Sequence, residues 1–270
     1  RMSIALHGSG SVPSEQRDHS RHRIGDRVAH LASVYAGRMN ALPFTVDLRE
    51  GRVDRQRYRV FIATFYPVVV GFNRALIRGI SKVDHVRHSS FVKVLAEQLK
   101  EEQAHNQLWR VMLEIFDIEH EALYGDLTDY MARFSAEELD AMTTEVLAEV
   151  ARDLRRTPSR IFPDAPLPDA VLAIYHHLWM TASDPDIDHW EHFASQAGME
   201  MVIYDVVTTS ILPGVMGNRH LDLGEGTTHW WREHGKLPGA DPAERSDEEK
   251  HLELSRVALN RSETANALAP

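Results

Sequence analysis

The sequence predicts an all-α protein, built as a single domain of about seven main helices. Three observations support this fold class. Apolar residues recur with the period of an α-helix in one segment after another. Signals of the form Ser-x-x-Glu, which cap the N-terminus of a helix, open two of these segments. No pair of segments shows the two-residue alternation and short turn of a β-hairpin.

The composition excludes several classes of function. The chain has 270 residues and a net charge of −10, which opposes nucleic acid as the main partner. It has no cysteine, which excludes disulfides, thiolate metal sites and a thiol nucleophile and fits a reducing, cytoplasmic location. No uninterrupted apolar run approaches about 18 residues, so no membrane span is expected. The 16 histidines and 40 acidic residues supply nitrogen and oxygen ligands, which suit iron, manganese or zinc.

The helices can be located along the chain by their apolar periods and capping residues. Residues 1–23 lack any such period and are interpreted as a flexible tail, so the helical domain is expected to span residues 24–264. Asp54 is expected to cap the second helix. The segments Thr45–Gly51 and Pro213–Gly226 are predicted to be irregular. Helices are predicted at Asp26–Leu42, Asp54–Ile80, Asp84–Asp117, Ser135–Arg156, Asp169–Ala182, Pro185–Leu212, Thr228–Gly235 and Ser246–Arg261.

The third predicted helix carries a polar pair on its apolar face. Glu102 and His105 lie on the side that also holds Leu95, Leu99, Trp109, Leu113 and Phe116. Burying a carboxylate and an imidazole is costly unless they are paired or bound. Residues three apart are neighbours on a helix, so both side chains could reach one metal ion. The alternative is a hydrogen-bonded polar pair at the edge of the apolar stripe.

The spacing of this pair is not informative by itself. Four of the 16 histidines have an acidic residue three positions earlier, including Glu102/His105 and Glu248/His251. About two or three such pairs are expected by chance, so the apolar face, and not the spacing, carries the hypothesis.

Glu200 is the second candidate metal ligand. It lies at the centre of the apolar stripe of the predicted helix Pro185–Leu212. A glutamate in that position needs a cation or a proton. A buried ion pair with Lys or Arg is the alternative.

The last predicted helix offers a further pair of candidates. Asp247 and His251, four residues apart, are predicted to share a face with the apolar residues Leu254 and Ala258, whereas Glu248 is predicted to point elsewhere. A carboxylate in the first turn of a helix is also favourable without a ligand, which is the alternative for Asp247. His229 and His234 precede this helix, and either could be a ligand or an exposed histidine.

Two segments resemble the haem-oxygenase-like superfamily that includes TenA and PqqC proteins. The first is ALPFTVDLREGRVDRQRYRVFIATFYPVVVGFNRAL (Ala41–Leu76), and the second is LAEQLKEEQAHNQLW (Leu95–Trp109), which is similar to the Glu-Glu-x-x-His helix of that group. Within the superfamily, the chain resembles the branch of di-iron oxidases and oxygenases. The resemblance implies a helical bundle over most of residues 26–261. It also implies non-haem iron, held by Glu102, His105, Glu200, Asp247 and His251, with His234 completing the set.

The resemblance also implies a reaction class. The expected function is O₂ activation by iron, with two ions per site, for the oxidation of a small amine, amino acid or fatty-acid-like substrate. Phe65, Trp109 and Tyr204 are expected to line the substrate pocket. An external reductant and a homodimer are compatible with it. Arg55–Val83 contains no acidic residue, which disfavours a ferritin-like bundle and leaves one or two irons open. A metal-free, PqqC-like oxidase or small-molecule binder of the same fold also stays open, as does haem binding through His30.

Overall fold

The computed structural model describes residues 23–119, 177–178, 181–221, 223–237, 239–241 and 246–266. Within these ranges it describes only the backbone of Pro67, Glu225, Gly226, Asp247 and residues 263–266. All regular elements in these ranges are helical, and they form one unit, so the all-α prediction is confirmed. The helices are α1 (Ile24–Asn40), α2 (Pro43–Arg49), α3 (Arg55–Ser81), α4 (Ser89–Ile115), α5 (His189–Val206), α6 (Leu212–Gly217), α7 (Glu225–Glu233) and α8 (Asp247–Asn266). The predicted tail, the helix Ser135–Arg156 and most of Asp169–Ala182 lie outside the described residues.

Two predicted helix starts are confirmed by their capping bonds. The carboxylate of Asp54 accepts a hydrogen bond from the backbone N–H of Arg57 at 2.8 Å, as an N-cap residue does. Ser246 and Glu249 form a reciprocal capping box before α8: the Glu249 N–H donates to the Ser246 hydroxyl, and the Ser246 N–H donates to the Glu249 carboxylate.

Three predicted boundaries are wrong. The segment Thr45–Gly51, predicted to be irregular, is largely the short helix α2, which Pro43 opens at its first position. The sixth predicted helix begins at His189, because Asp188 forms a capping box with Glu191 there, and Pro185 lies before it. The same helix continues beyond Leu212, through a π-helical turn at Val207–Ile211 and into α6.

The core is centred on the contact between α3 and α4, and α7 packs on α4. Helix α5 packs against α1, α3 and α8. The largest fully buried side chains come from α2, α3, α4, α5 and α7 and from the residue after α4, and they include Tyr58, Trp109, Phe116, Phe193 and Trp231. The predicted ligands lie on α4, α5 and α8 and at the end of α7.

Two arginines of α3 fix the C-terminus of α4. The Arg55 guanidinium donates to the carbonyl oxygen of Ile115 at 2.8 Å, and Arg59 Nε donates to that of Phe116 at 2.9 Å. Carbonyl groups at a helix C-terminus lack partners within the helix and carry partial negative charge. These bonds therefore set the position of α4 along α3, and with it the position of Glu102 and His105.

Two helices are long and apolar enough, by length and composition alone, to cross a membrane: α3 and the continuous helical run His189–Gly217. Their most apolar windows have mean hydropathies of 1.6 and 1.3. Of these two windows, 65% and 44% of the residues, respectively, are buried inside the protein. The search of the sequence for uninterrupted apolar runs did not identify these two helices, because isolated polar residues interrupt the apolar residues of both. The absence of a membrane partner stays a prediction.

Gly79 allows α3 to approach α5 closely. A Cβ atom at this position would lie 2.2 Å from the imidazole ring of His192, which is buried and bonded to the carbonyl oxygen of Ala75. We expect Gly79→Ala to lower the free energy of unfolding by about 1–3 kcal/mol through overpacking. At Gly37 in α1 a Cβ would meet no atom within 4 Å. Gly37→Ala should therefore raise the free energy of unfolding by about 0.5–1 kcal/mol. Urea denaturation measures both changes, and an equal effect of the two substitutions would contradict this packing.

Candidate metal centre

Three of the predicted ligands converge. Glu102 and His105 lie on α4, and His234 directly follows α7, which packs on α4. One ligand atom from each of the three side chains lies within 4.8 Å of the other two. His105 Nδ1 is 3.4 Å from Glu102 Oε1, and the centroids of the His105 and His234 rings are 4.1 Å apart. A carboxylate and two imidazoles at this separation can coordinate one transition-metal ion.

The orientation of His234 is fixed by its contacts with Trp230. His234 Nδ1 is 2.9 Å from the carbonyl oxygen of Trp230, and the two rings stack with centroids 3.7 Å apart. Because a carbonyl oxygen only accepts, Nδ1 carries the proton and Nε2 keeps its lone pair. Burial, followed by the charge of the nearby His105, lowers the pKa of His234 to about 4. His234 is therefore neutral, which is the form that binds a metal.

The structure also separates the two histidines that the sequence left open. The side chain of His229 is 57% exposed, and its Nε2 lies 3.2 Å from a carboxylate oxygen of Glu233. His234 is buried and lies on the cavity side of the same helix terminus. Of the two, only His234 is placed to be a ligand.

Glu102 and His105 stabilise each other's charged forms, the carboxylate and the imidazolium. Burial alone would raise the pKa of Glu102, but the hydrogen bond from His105 and the charges of the neighbouring histidines outweigh it and hold that pKa below its usual value. Burial alone would lower the pKa of His105, but the hydrogen bond to Glu102 and the carboxylate charges around it raise it. The predicted polar pair is therefore an ion pair in the absence of a metal.

Glu200 faces this group from α5. Its Oε1 accepts a 2.5 Å hydrogen bond from Gln98 Nε2, whereas its Oε2 is buried and has no partner among the described residues. Burial raises the pKa of Glu200 well above its usual value, and the charges of Glu248 and Glu102 raise it further. No Lys or Arg in the described part of the chain forms an ion pair with Glu200, so the alternative of a buried ion pair is not observed there. A cation or a proton has to satisfy this carboxylate.

Glu248 belongs to the site, and the prediction that it points elsewhere is wrong. It lines the same cavity as Glu102 and Glu200. Burial, followed by the charge of Glu102, raises its pKa to about 7. The error has a simple cause: Leu254 was used to mark the inner face of α8, but its side chain is 56% exposed. The inner face instead carries Ser255, which is fully buried one residue further along, together with Leu259 and Ser262.

The two remaining predicted ligands, His251 and Asp247, belong to α8. His251 lies at the edge of the site and is largely buried, and its Nδ1 lies 3.6 Å from a carboxylate oxygen of Glu101, a residue that the sequence did not single out. Burial lowers the pKa of His251 against the opposing charges of Glu101 and Glu102. The Asp247 backbone begins α8, but its side chain lies outside the described residues. The assignment of Asp247 as a ligand therefore stays a prediction.

These side chains surround one cavity that encloses about 440 Å³ outside the protein atoms, part of it open to solvent. Its polar lining consists of Glu102, Glu200, His234, Glu248 and the tyrosine Tyr204. Its apolar lining consists of Phe65, Val68, Val69, Phe72, Met199, Ile203 and Trp230. Phe65 and Tyr204 were predicted to line a substrate pocket and do line the cavity. Trp109, predicted beside them, packs behind Phe65 and Trp230 instead.

The donor set fits a transition metal. It consists of carboxylate and imidazole groups, and the unpartnered Oε2 of Glu200 is aimed at no hydrogen-bond donor among the described residues. Such groups suit iron, manganese or zinc, and the cysteine-free chain offers no thiolate for a softer metal. His30, the alternative haem ligand, is exposed on α1 and does not line this cavity.

No family model, curated protein or solved structure matches the chain. The resemblance to the haem-oxygenase-like superfamily therefore stays a prediction, supported by the segments Ala41–Leu76 and Leu95–Trp109. The arrangement of ligands described above is independent of it.

Replacing the buried carboxylate of Glu200 should stabilise the metal-free protein at neutral and higher pH. Its raised pKa means that folding disfavours the charged form, so stability falls as the pH rises from about 4.5 towards the raised value and then stays constant. Glu200→Gln removes that charge. We expect the substitution to raise the free energy of unfolding at pH 8. The gain should be about 1.4 kcal/mol for every factor of ten by which folding strengthens proton binding to the Glu200 carboxylate.

The control is Glu114→Gln, the same change at an exposed position of α4. Urea denaturation of both variants is measured in a chelating buffer at pH 4 and pH 8. The difference between Glu200→Gln and the unmodified protein should vanish at pH 4. A loss of stability at pH 8 would contradict the assignment of an uncompensated carboxylate.

Proposed function

We propose that the protein is a non-haem iron enzyme, with two irons in one site, that activates O₂ to oxidise or oxygenate a small substrate. The observation that carries this proposal is the convergence of Glu102, His105 and His234 with two further buried carboxylates, Glu200 and Glu248, on one largely apolar cavity. Carboxylate-rich sites with imidazole ligands are typical of O₂-activating iron enzymes.

The proposed ligands divide between four structural elements. Glu102 and His105 come from α4, His234 from the end of α7, Glu200 from α5, and Glu248 with His251 from α8. Bound iron would supply the O₂ binding and one-electron chemistry that these side chains lack by themselves. The number of two ions follows the resemblance to di-iron enzymes. Of the proposed ligands, Glu102, His105 and His234 have ligand atoms within 4.8 Å of one another and would share one ion, which leaves Glu200, Glu248 and His251 for the other.

The surrounding residues orient these ligands. Trp230 holds the Nδ1–H of His234 and stacks on its ring, which aims Nε2 away from the carbonyl. Gln98 holds one oxygen of Glu200 and leaves the other unpartnered. Contacts of this kind fix the tautomer and rotamer of a ligand before the metal arrives.

The cavity wall suggests a small, largely apolar substrate. Seven of the lining side chains are apolar or aromatic, and they exclude water from the carboxylates. O₂ and this substrate are the proposed partners, and either the substrate or an external reductant supplies electrons. The amine, amino acid and fatty-acid-like classes expected from the resemblance all remain within the proposal.

A metal-free binder or PqqC-like oxidase is supported less well. Without a cation, three glutamates share a low-dielectric cavity, and burial, followed by the charge of Glu102, raises the pKa of Glu248 to about 7. A pocket built only to bind an apolar molecule gains nothing from such a group of acids.

Anaerobic titration with Fe(II) tests the proposal. After removal of free metal, we expect two irons per chain in the unmodified protein, because each ion has its own ligands. His234→Ala should lose at least one iron, since it removes the preoriented imidazole. His229→Ala, which removes an exposed histidine from the same helix, should keep both. Iron is counted by atomic emission, and O₂ uptake by the loaded protein is recorded in the presence of a reductant.

Two results would contradict the proposal. One is the absence of stoichiometric iron in the unmodified protein, and the other is unchanged iron in the double variant Glu102→Ala/His105→Ala. A Soret band on titration with haem would favour the haem alternative instead.

A further inference from the structure

We propose that Trp230 and Trp231 form an electron relay between the cavity and a surface groove at Phe61. This inference rests on the proposed function, because it needs a one-electron oxidant in the cavity. When an oxidant forms in the cavity in the absence of substrate, the relay would carry electrons from a reductant in the groove to that oxidant.

The inner end of the relay touches a proposed metal ligand. The ring of Trp230 stacks on that of His234, with centroids 3.7 Å apart and an interplanar angle of 17°. Trp230 also lines the cavity. The next residue, Trp231, is fully buried and lies edge-on to Trp230 with a centroid distance of 4.7 Å. The two indoles are therefore in contact and need no intermediate group.

The outer end reaches solvent through phenylalanines. Trp231 stacks on Phe61 with a centroid distance of 5.9 Å and an angle of 14°, and Phe61 lies 5.0 Å from Phe44. Both phenylalanines line an open groove of about 780 Å³ on the surface of α2 and α3, together with Gln56 and other residues. A reductant in this groove would be separated from Trp231 by a single aromatic ring.

Hydrogen bonding makes the two indoles unequal. Trp231 Nε1 donates a 2.7 Å hydrogen bond to the hydroxyl oxygen of Tyr58, whereas Trp230 Nε1 is buried without a partner among the described residues. A hydrogen bond from the ring nitrogen stabilises the positive charge of an oxidised indole. Trp231 is therefore easier to oxidise than Trp230. An oxidised Trp230 has nowhere to release its proton and takes an electron from Trp231.

Each turn of the relay moves one electron and breaks no bond. The oxidant in the cavity gains one electron from Trp230 and is reduced. Trp230 regains an electron from Trp231, and Trp231 regains one from a soluble one-electron reductant at the groove. Both indoles keep their N–H protons throughout. Trp109 contacts both tryptophans, but its Nε1 also lacks a partner among the described residues, so it does not hold the oxidised state.

A photochemical experiment tests the relay in the metal-free protein. The chain has no cysteine, so Gln56→Cys gives one attachment point, in the groove, for a ruthenium photo-oxidant. After a flash with an electron acceptor, we expect a tryptophan radical in electron paramagnetic resonance and transient absorption. Trp231→Phe should abolish it. Trp109→Phe and Trp190→Phe should leave it unchanged, because Trp190 packs against Phe91 elsewhere in the fold.

Trp231→Phe also leaves the Tyr58 hydroxyl without its donor and is checked for folding by circular dichroism. A second measurement avoids the substitution: the labelled protein is produced with fluorotryptophan, which is harder to oxidise but similar in shape. The radical yield should fall. A radical signal that persists unchanged in the Trp231→Phe variant and in the fluorotryptophan-labelled protein would overturn the relay.

The link to the cavity is tested separately in iron-loaded protein exposed to O₂ without substrate. Peptide mass spectrometry should find oxidised Trp231 in the unmodified protein. In Trp230→Phe that oxidation should be lost, and oxidation of His234 or His105 should increase. Absence of the photochemical radical from the unmodified labelled protein contradicts the relay and leaves the proposed function standing. Failure to bind iron contradicts the proposed function and removes the oxidant that the relay needs, even if the photochemical radical forms.

Discussion

Three glutamates share one largely apolar cavity, and most features of the site follow from the need to neutralise them. Glu102, Glu200 and Glu248 come from three different helices, so their proximity is created only when the bundle closes. No Lys or Arg lines the cavity in the described part of the chain. Removing charges from water is expensive unless they are paired, so the metal-free fold keeps protons on part of this group. Divalent ions would replace those protons and tie α4, α5 and α8 together.

The aromatic core fixes the relative positions of the proposed ligands. Helix α7 contributes Trp230 and Trp231, which pack between α3 and α4, and the same packing delivers His234 to His105. The arginines that hold the C-terminus of α4 fix the register of Glu102. Rigid helices, and not loops, therefore carry most of the ligands, which is the condition for a preorganised site.

The inner face was predicted well inside long periodic helices and poorly near helix ends. Glu102, His105 and Glu200 lie on the faces predicted for them, because each is embedded in an apolar stripe whose phase many residues define. His234 could not be separated from His229, since the turn that ends α7 has no period. Glu248 was rejected because one exposed leucine, Leu254, was taken as an inner residue. The small residues Ser255 and Ser262, spaced with Leu259, were the signal that could have corrected the phase of α8. The π-helical turn Val207–Ile211 has no sequence signature of this kind.

The central claim is that this cavity holds two metal ions between α4, α5, α7 and α8. Anomalous X-ray diffraction at the iron absorption edge, from crystals of the iron-loaded protein, tests it most directly. The account predicts two anomalous peaks inside the cavity, one of them between Glu102, His105 and His234 and the other bound by Glu248. An empty cavity in the anomalous map, or iron found only at exposed histidines such as His229, would contradict it.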